Sequence, residues 1–272
     1  MKKYKKVLTI AGSDSGGGAG IQADLKTISA LGCYGTTAIT AITAQNTLGV
    51  NAIYPIPTNI VEKQMEAVLN DIGTDSVKIG MLHSAEIIMT VHKVLTKLKV
   101  KNIVLDPVMV AASGDKLIED NTIDALTGYL FPMVNIITPN IPEAAILLKD
   151  IISTKDDMIE SAGNLLKFGC KAVLLKGGHL KGKLLFDVYY RKNGNGDVKI
   201  FENRKIDTRN VHGTGCTLSS AIACFLARGY SMDTAVESAI DYLHNALDFG
   251  KEYLTGRGHG PVNHFFNPEK LK

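Results

Sequence analysis

His212, Gly213, Thr214, Gly215, Cys216 and Thr217 form one unbroken run ahead of an apolar, Ala/Ser-rich stretch, Leu218-Ser219-Ser220-Ala221-Ile222-Ala223. Two glycines let the backbone turn tightly and aim several N–H groups into one space, and the helix that follows adds the positive end of its dipole. That combination suits an anion, a phosphate above all. Cys216 falls in the first turn of this helix, where the same field is expected to lower a thiol pKa. An anion cradle and a candidate base would then share one loop. Taken alone, the run also fits an ordinary Gly-rich helix start.

Other residues with chemical potential recur at one kind of place. Gly12-Ser13-Asp14-Ser15-Gly16-Gly17-Gly18-Ala19-Gly20 follows a β-branched run at 7–10. Gly80-Met81 follows a run at 77–79, and Asp106-Pro107 one at 103–105. Thr138-Pro139-Asn140 follows a run at 134–137, with Glu143 three residues on, and Lys176-Gly177-Gly178-His179 follows 172–175. Each segment lies just past the carboxyl end of an expected strand, the edge along which open α/β sheets bind ligands. Lys176 offers a point charge for a polyphosphate. Asn140 and Glu143 put oxygen atoms one helical turn apart, a spacing that can hold Mg²⁺ directly or through water, and Asp106 is a second hard ligand. Phosphoryl transfer needs little beyond a phosphate cradle, Mg²⁺, a cation and an acceptor for the hydroxyl proton.

Two rival motifs fit poorly. The glycines of 12–20 do not match GxGxxG with an acidic residue about twenty positions on, and 34–42 contains no acid. No Gly-Lys-Ser/Thr closes the loop as a Walker motif requires. The 12–20 loop is therefore free for the second substrate, where bare backbone allows close approach.

The elements that must position these residues read as alternating strands and helices. The five runs are nearly continuous in apolar character, as strands buried on both faces should be. Ile21, Leu25 and Ile28 share one helical face that Gly32 closes; Ser84 can cap a helix carrying Ile87, Ile88, Val91, Val94, Leu95 and Leu98. The final third reads as helix over 213–228 and 231–254. Residues 184–191 and 198–206 flank Asn193-Gly194-Asn195-Gly196 and read as a β-hairpin. The pattern predicts one α/β domain over 1–272, doubly wound about a mainly parallel sheet.

Bulk properties agree with an enzyme of small molecules. The chain has 272 residues, 45% hydrophobic and 21% charged, with a net charge of +3. No basic stripe marks a nucleic-acid partner. The Lys-rich start runs into an apolar stretch too short for a signal peptide or membrane span. Cys33, Cys170, Cys216 and Cys224 lack CxxC spacing, so a zinc site or disulfide framework is not expected and a reducing cytoplasm is the natural setting.

With these residues in place, the chain resembles the hydroxymethylpyrimidine/phosphomethylpyrimidine kinases of thiamin biosynthesis, within the ribokinase-like superfamily. The resemblance covers nearly the whole chain. It rests on AGSDSGGGAGIQADLKT, TAITAQNT, KIGML, LDPVM, TPNIPEA, KGGH, HGTGCTLSSAIA and the closing GHGPVNH, in that order. It implies a three-layer α/β/α fold with a small edge hairpin or flap, usually dimeric. The implied reaction moves the ATP γ-phosphate to the hydroxymethyl group and then to the resulting monophosphate, giving the pyrophosphate.

The resemblance also assigns roles. Gly213, Thr214 and Gly215 would form the anion hole, and Cys216 would stand where many sugar-kinase relatives have an Asp general base. Lys176, Thr208 and His212 would belong to the ATP side, with Asn140, Glu143 and Asp106 organising Mg²⁺. Gln45 would hydrogen-bond the aminopyrimidine, with Gly12, Ala19, Asp24, Met81 and Val108 lining its pocket. A Gln amide carries a donor and an acceptor to match an amino group beside a ring nitrogen, and Met81 is a soft surface for a flat ring.

One departure is local: many relatives have a basic residue near Ala112. Pyridoxal or pyridoxine, with a hydroxymethyl group on a similar ring, remains an alternative acceptor. A non-catalytic sensor of thiamin precursors is expected to lose the Lys, the anion loop or the acids, and all three are present here.

Overall fold

The computed structural model describes residues 2–109, 120–180, 182–192 and 198–270. The hairpin turn at 193–196 and the departure near Ala112 lie outside them.

The chain enters on β1 (Lys6–Ala11) and returns through α1 (Gly20–Ala30) to β2 (Tyr34–Ile39). A separate ribbon, β3 (Ala41–Asn46) and β4 (Gly49–Pro55), precedes α2 (Thr58–Ala67). Then come β5 (Ser76–Ile79), α3 (Ala85–Lys97), β6 (Ile103–Leu105), α4 (Asp120–Ala125), β7 (Ile136–Ile137), α5 (Ile141–Leu148) and α6 (Lys155–Leu165). The chain continues with β8 (Ala172–Leu175), β9 (Leu184–Arg191), β10 (Val198–Arg204), α7 (Thr214–Ala227) and α8 (Met232–Gly250).

Among the described residues the main sheet has eight strands in the order β10-β9-β8-β7-β6-β5-β1-β2. Within it β2, β1, β5, β6, β7 and β8 pair in parallel, and β9 and β10 add an antiparallel edge. This is the expected three-layer α/β/α architecture with its edge hairpin. Helices α1, α7 and α8 cover one face, while α2 to α6 cover the other. Strands β1, β5, β6 and β8 are buried along their whole apolar length, because helices screen both faces.

Several local expectations hold. Ser84 caps α3, its hydroxyl accepting from the Ile87 N–H. Strands β6 and β8 occupy the runs read for them, whereas β7 is shorter: Val134 closes a 3₁₀ turn ahead of it. Helix α8 ends at Gly250, where a Cβ would crowd the Asn263 backbone, rather than at Leu254. The ribbon of β3 and β4 had no strong sequence signal. Its outer strand is exposed throughout, so no burial pattern marks it, and its pairing carries a bulge between Ala44 and Gln45.

Candidate active site

The parallel strands deliver their chemistry to one edge. The 12–20 loop leaves β1, Met81 follows β5, Asp106 follows β6, Asn140 follows β7 and Lys176 follows β8. An isolated bridge between Asn140 and Lys176 extends the β7–β8 pairing right up to these side chains.

The 213–216 loop becomes the amino end of α7, with Gly213 as N-cap in the left-handed region at φ 79°. The Gly215 and Cys216 N–H groups come ahead of any intrahelical acceptor. A Cβ on Gly213 would collide with the Gly18 carbonyl, and one on Gly18 with the His212 ring. The two glycine loops are thus in backbone contact. A Cβ on Gly215 would lie 3.1 Å from both Asp106 Oδ2 and Lys176 Nζ. Lys176 Nζ donates to Asp106 Oδ1 at 2.8 Å, and Thr138 donates to the same oxygen at 2.9 Å. Burial alone would lower the Lys176 pKa, but Asp106 and Glu143 raise it, so its ammonium stays charged beside the anion loop.

The 12–20 loop is organised by Asp14, which sequence reasoning did not single out. Its carboxylate accepts from the N–H groups of Gly16, Gly18 and Ala19 at 2.8, 3.0 and 2.8 Å, wrapping the loop around itself. His212 Nε2 joins at 2.8 Å. Burial pushes the Asp14 carboxyl up, but these hydrogen bonds, that of His212 foremost, hold it below the usual carboxylate range. His212 therefore ties the 12–20 loop to the anion loop. Gln45, on β3, brings its amide nitrogen to 3.5 Å from the same His212 atom, and Thr43 donates to its amide oxygen at 3.3 Å. The Met81 methyl packs against Gly12, where a Cβ would sit 2.7 Å from it. Ala19 is the N-cap of α1. Half-buried Val108 follows Asp106, its N–H donating to the Asp106 carbonyl at 2.9 Å.

The closing segment straps this arrangement together. The His212 N–H donates to the Gly260 carbonyl, and the Gly258 and His259 N–H groups donate to Thr47 in the β3–β4 turn. Thr208 lies nearer the end of α8, its hydroxyl donating to the Lys251 carbonyl and accepting from the Asn210 N–H.

Three expectations need correction. Asp24 does not line a pocket. It is fully buried beneath the site, accepting from Thr9, Ser220 and Lys78. Asn140 and Glu143 do not present a pair of free oxygens. They form a capping box on α5, each side chain accepting the other's backbone N–H at 2.8–2.9 Å. The Cys216 thiol is not lowered. Enclosure of its sulfur pushes it up to about 11, against the pull of Lys78 and of the Gly20 N–H. Desolvation outweighs the helix dipole here, although Cys216 is the half-buried cysteine of the four.

For Mg²⁺, the donor set remains suited. Burial pushes the Glu143 carboxyl up to about 7, with Asp106 adding to the rise against Lys176, so two acids share one enclosed space. Such a pair gains from a divalent cation held otherwise by water and phosphate oxygens. Asp106 and Glu143 are the residues that fit it. Among the described residues no cluster of three His, Cys, Asp or Glu side chains forms a protein-only metal cage.

An α/β sheet that sets a glycine anion loop, a buried Lys–Asp pair and a second glycine loop side by side defines a small-molecule phosphotransferase. The family model described as phosphomethylpyrimidine kinase matches residues 14–263, and the chain belongs to that family. It is 48% identical over 259 residues to the hydroxymethylpyrimidine/phosphomethylpyrimidine kinase of Rhizobium meliloti (strain 1021), covering 95% of this chain and 96% of that one. The crystal structure of phosphomethylpyrimidine kinase from Clostridium difficile 630 superposes with a TM-score of 0.79 at 46% identity, covering 89% and 99%. An ADP complex of Bacillus subtilis pyridoxal kinase has a TM-score of 0.88 at 37% identity, covering 96% and 98%.

Proposed function

We propose that this chain uses ATP with Mg²⁺ to phosphorylate 4-amino-5-hydroxymethyl-2-methylpyrimidine and then its monophosphate, giving the pyrophosphate used in thiamin biosynthesis. The supporting observation is the contact between the two glycine loops at Gly213 and Gly18, which brings a phosphate cradle to the edge of an acceptor pocket. Proximity of this kind accounts for much of the rate in phosphoryl transfer.

The N–H groups of the 213–216 loop receive the transferring phosphoryl oxygens, and Lys176 neutralises charge on the phosphates. Mg²⁺ near Asp106 and Glu143 would supply further charge neutralisation. Gln45, steadied by Thr43 and His212, reads the polar edge of the pyrimidine while Met81 packs on its face. The hydroxymethyl oxygen bonds to the γ-phosphorus, its proton passes to the Cys216 thiolate, and ADP departs with the electrons of the broken P–O bond. With the resting thiol raised, the competent thiolate is a minor form at neutral pH, so turnover should climb as pH rises. The setting is cytoplasmic and the assembly a homodimer; among the described residues no helix is long and apolar enough to cross a membrane.

A coupled ADP-release assay with hydroxymethylpyrimidine, its monophosphate, pyridoxal and pyridoxine tests the reading. The two pyrimidines should be preferred in kcat/KM. A higher value for pyridoxal or pyridoxine would replace the proposal with a vitamin B6 kinase.

A further inference from the structure

The ribbon that carries Gln45 is paired along one side only: β3 meets β4, and neither joins the main sheet. An open edge leaves backbone N–H and C=O groups in need of other partners. On β3 the 12–20 loop supplies them. The Ser13 N–H donates to the Ala41 carbonyl at 2.8 Å, and the Thr43 N–H donates to the Ser13 hydroxyl at 3.3 Å. The Thr43 hydroxyl returns a bond to the Ser13 carbonyl at 2.7 Å. At Gln45 the contact changes in kind. Ser15 Oγ accepts from the Gln45 N–H at 2.7 Å and donates to the Gln45 carbonyl at 2.6 Å. One hydroxyl thus closes on both backbone groups of Gln45.

It does so where the pairing with β4 slips. Ala44 lies opposite Ala52 but Gln45 opposite Val50, so Asn51 is the extra residue of the bulge. An interrupted ladder constrains Gln45 less than a regular one would. Its side chain adds little, since the amide makes long contacts, 3.3 Å to Thr43 and 3.5 Å to His212. Ser15 itself is presented by a loop already fixed. Its neighbour Asp14 takes the Gly16, Gly18 and Ala19 N–H groups, and the Asp14 N–H donates to the Gln22 amide oxygen at 2.7 Å. Gly16 runs so close to β3 that a Cβ there would lie 3.2 Å from the Asn46 Cα. Yet Ser15 is exposed, so water can replace its bonds and they add little to the stability of the fold. Two short bonds from an exposed hydroxyl to Gln45 call for another role.

We propose that Ser15 is a positioning residue for the acceptor: its hydroxyl, closed on both backbone groups of Gln45, fixes the angle at which the Gln45 amide meets the polar edge of the pyrimidine. This rests on Gln45 as the residue that reads that edge. Such support acts on one substrate alone. A small tilt of Gln45 costs its amide a well-aligned donor and acceptor, while the N–H groups of the anion loop and Lys176 stay where they are.

The test compares Ser15→Ala and Ser15→Thr, each alone and Ser15→Ala also combined with Gln45→Leu, by calorimetric titration with hydroxymethylpyrimidine and, separately, with ATP. Ser15→Ala should raise the Kd for hydroxymethylpyrimidine about three- to tenfold, leave that for ATP within about twofold and leave Tm unmoved. Ser15→Thr keeps the hydroxyl and should restore wild-type affinity. In the Gln45→Leu background Ser15→Ala should cost little more, because the two residues act through one contact. Unchanged pyrimidine affinity in Ser15→Ala, where Gln45→Leu weakens it, overturns the role of Ser15. So does a Ser15→Ala loss that adds in full to that of Gln45→Leu, or one shared by ATP and accompanied by a fall in Tm. Unchanged pyrimidine affinity in Gln45→Leu overturns instead the assignment of Gln45 to the ring, and the role of Ser15 falls with it.

Discussion

Two lysine–aspartate pairs flank the anion loop, built from the same chemistry and placed at different depths. Lys176 and Asp106 meet at 2.8 Å with 16% of the lysine side chain exposed, on loops that follow β8 and β6. Lys78 and Asp24 meet at 2.9 Å with neither side chain exposed, on a strand and a helix. The outer pair can exchange partners. A phosphate would compete with Asp106 for Lys176, leaving the Asp106 carboxylate as a residue that would hold a divalent cation. The inner pair has no such freedom, since Thr9, Ser220 and Lys78 already fill the Asp24 oxygens. Reach to solvent separates a Lys–Asp pair that is open to a ligand from one that is closed on itself.

The sharpest way to separate the two is to remove the group between them. Cys216→Ala should lower turnover by roughly 10²–10⁴-fold, the usual scale for a proton acceptor. ATP binding should persist, because the loop's N–H groups and Lys176 are intact. Wild-type kcat should rise with pH toward the raised thiol pKa of about 11, and this rise should vanish in the variant. Near wild-type turnover in Cys216→Ala would make the residue a packing cysteine.

Stability should break the comparison next. Lys78→Met alone should cost about 3–5 kcal/mol in denaturant unfolding, the scale for stranding one member of a buried pair. Adding Asp24→Asn should recover most of it. Lys176→Met should cost less stability than Lys78→Met, because the outer lysine keeps some contact with solvent, and should lower kcat/KM for ATP by roughly 10- to 100-fold, the equivalent of one charged hydrogen bond. Equal stability losses at the two lysines would erase the difference between the pairs.

Gln45→Leu lies outside both pairs and serves as a reference. It should weaken pyrimidine binding by about 1–3 kcal/mol, the cost of unpaired polar ring atoms, while calorimetric ATP affinity holds. Loss of both affinities would mean that the ribbon had misfolded.

The smallest effect concerns Glu143. Its carboxyl is raised from 4.5 to about 7, so the folded state prefers it protonated. The associated stability is present below about pH 4.5 and is lost as pH rises through 7. Glu143→Gln should flatten the fall of Tm across that window and shift the Mg²⁺ titration of activity upward. A Tm profile identical to wild type would show that Glu143 does not titrate there.

The sequence by itself determined most of the frame. Buried parallel strands announce themselves as continuous β-branched runs, and the polar segments after them had to fall along one edge because every parallel strand ends there. It also marked Cys216, Lys176, Asp106 and Gln45, whose residue types within long motifs limit what they can do. Tertiary structure decided the rest, because depth and partner are properties of packing. Asn140 and Glu143 had the spacing of metal ligands and equally that of a capping box, and only the helix that starts there showed that the capping box forms. Asp24 looked like a pocket residue until Lys78 was found against it, 54 residues away in the chain. The single available signal was a lysine between Val77 and Ile79 in an otherwise apolar strand. The Cys216 thiol carried two opposed effects, a helix dipole set by local sequence and a desolvation set by the enclosing fold, and the second prevailed because burial is long-range in the chain.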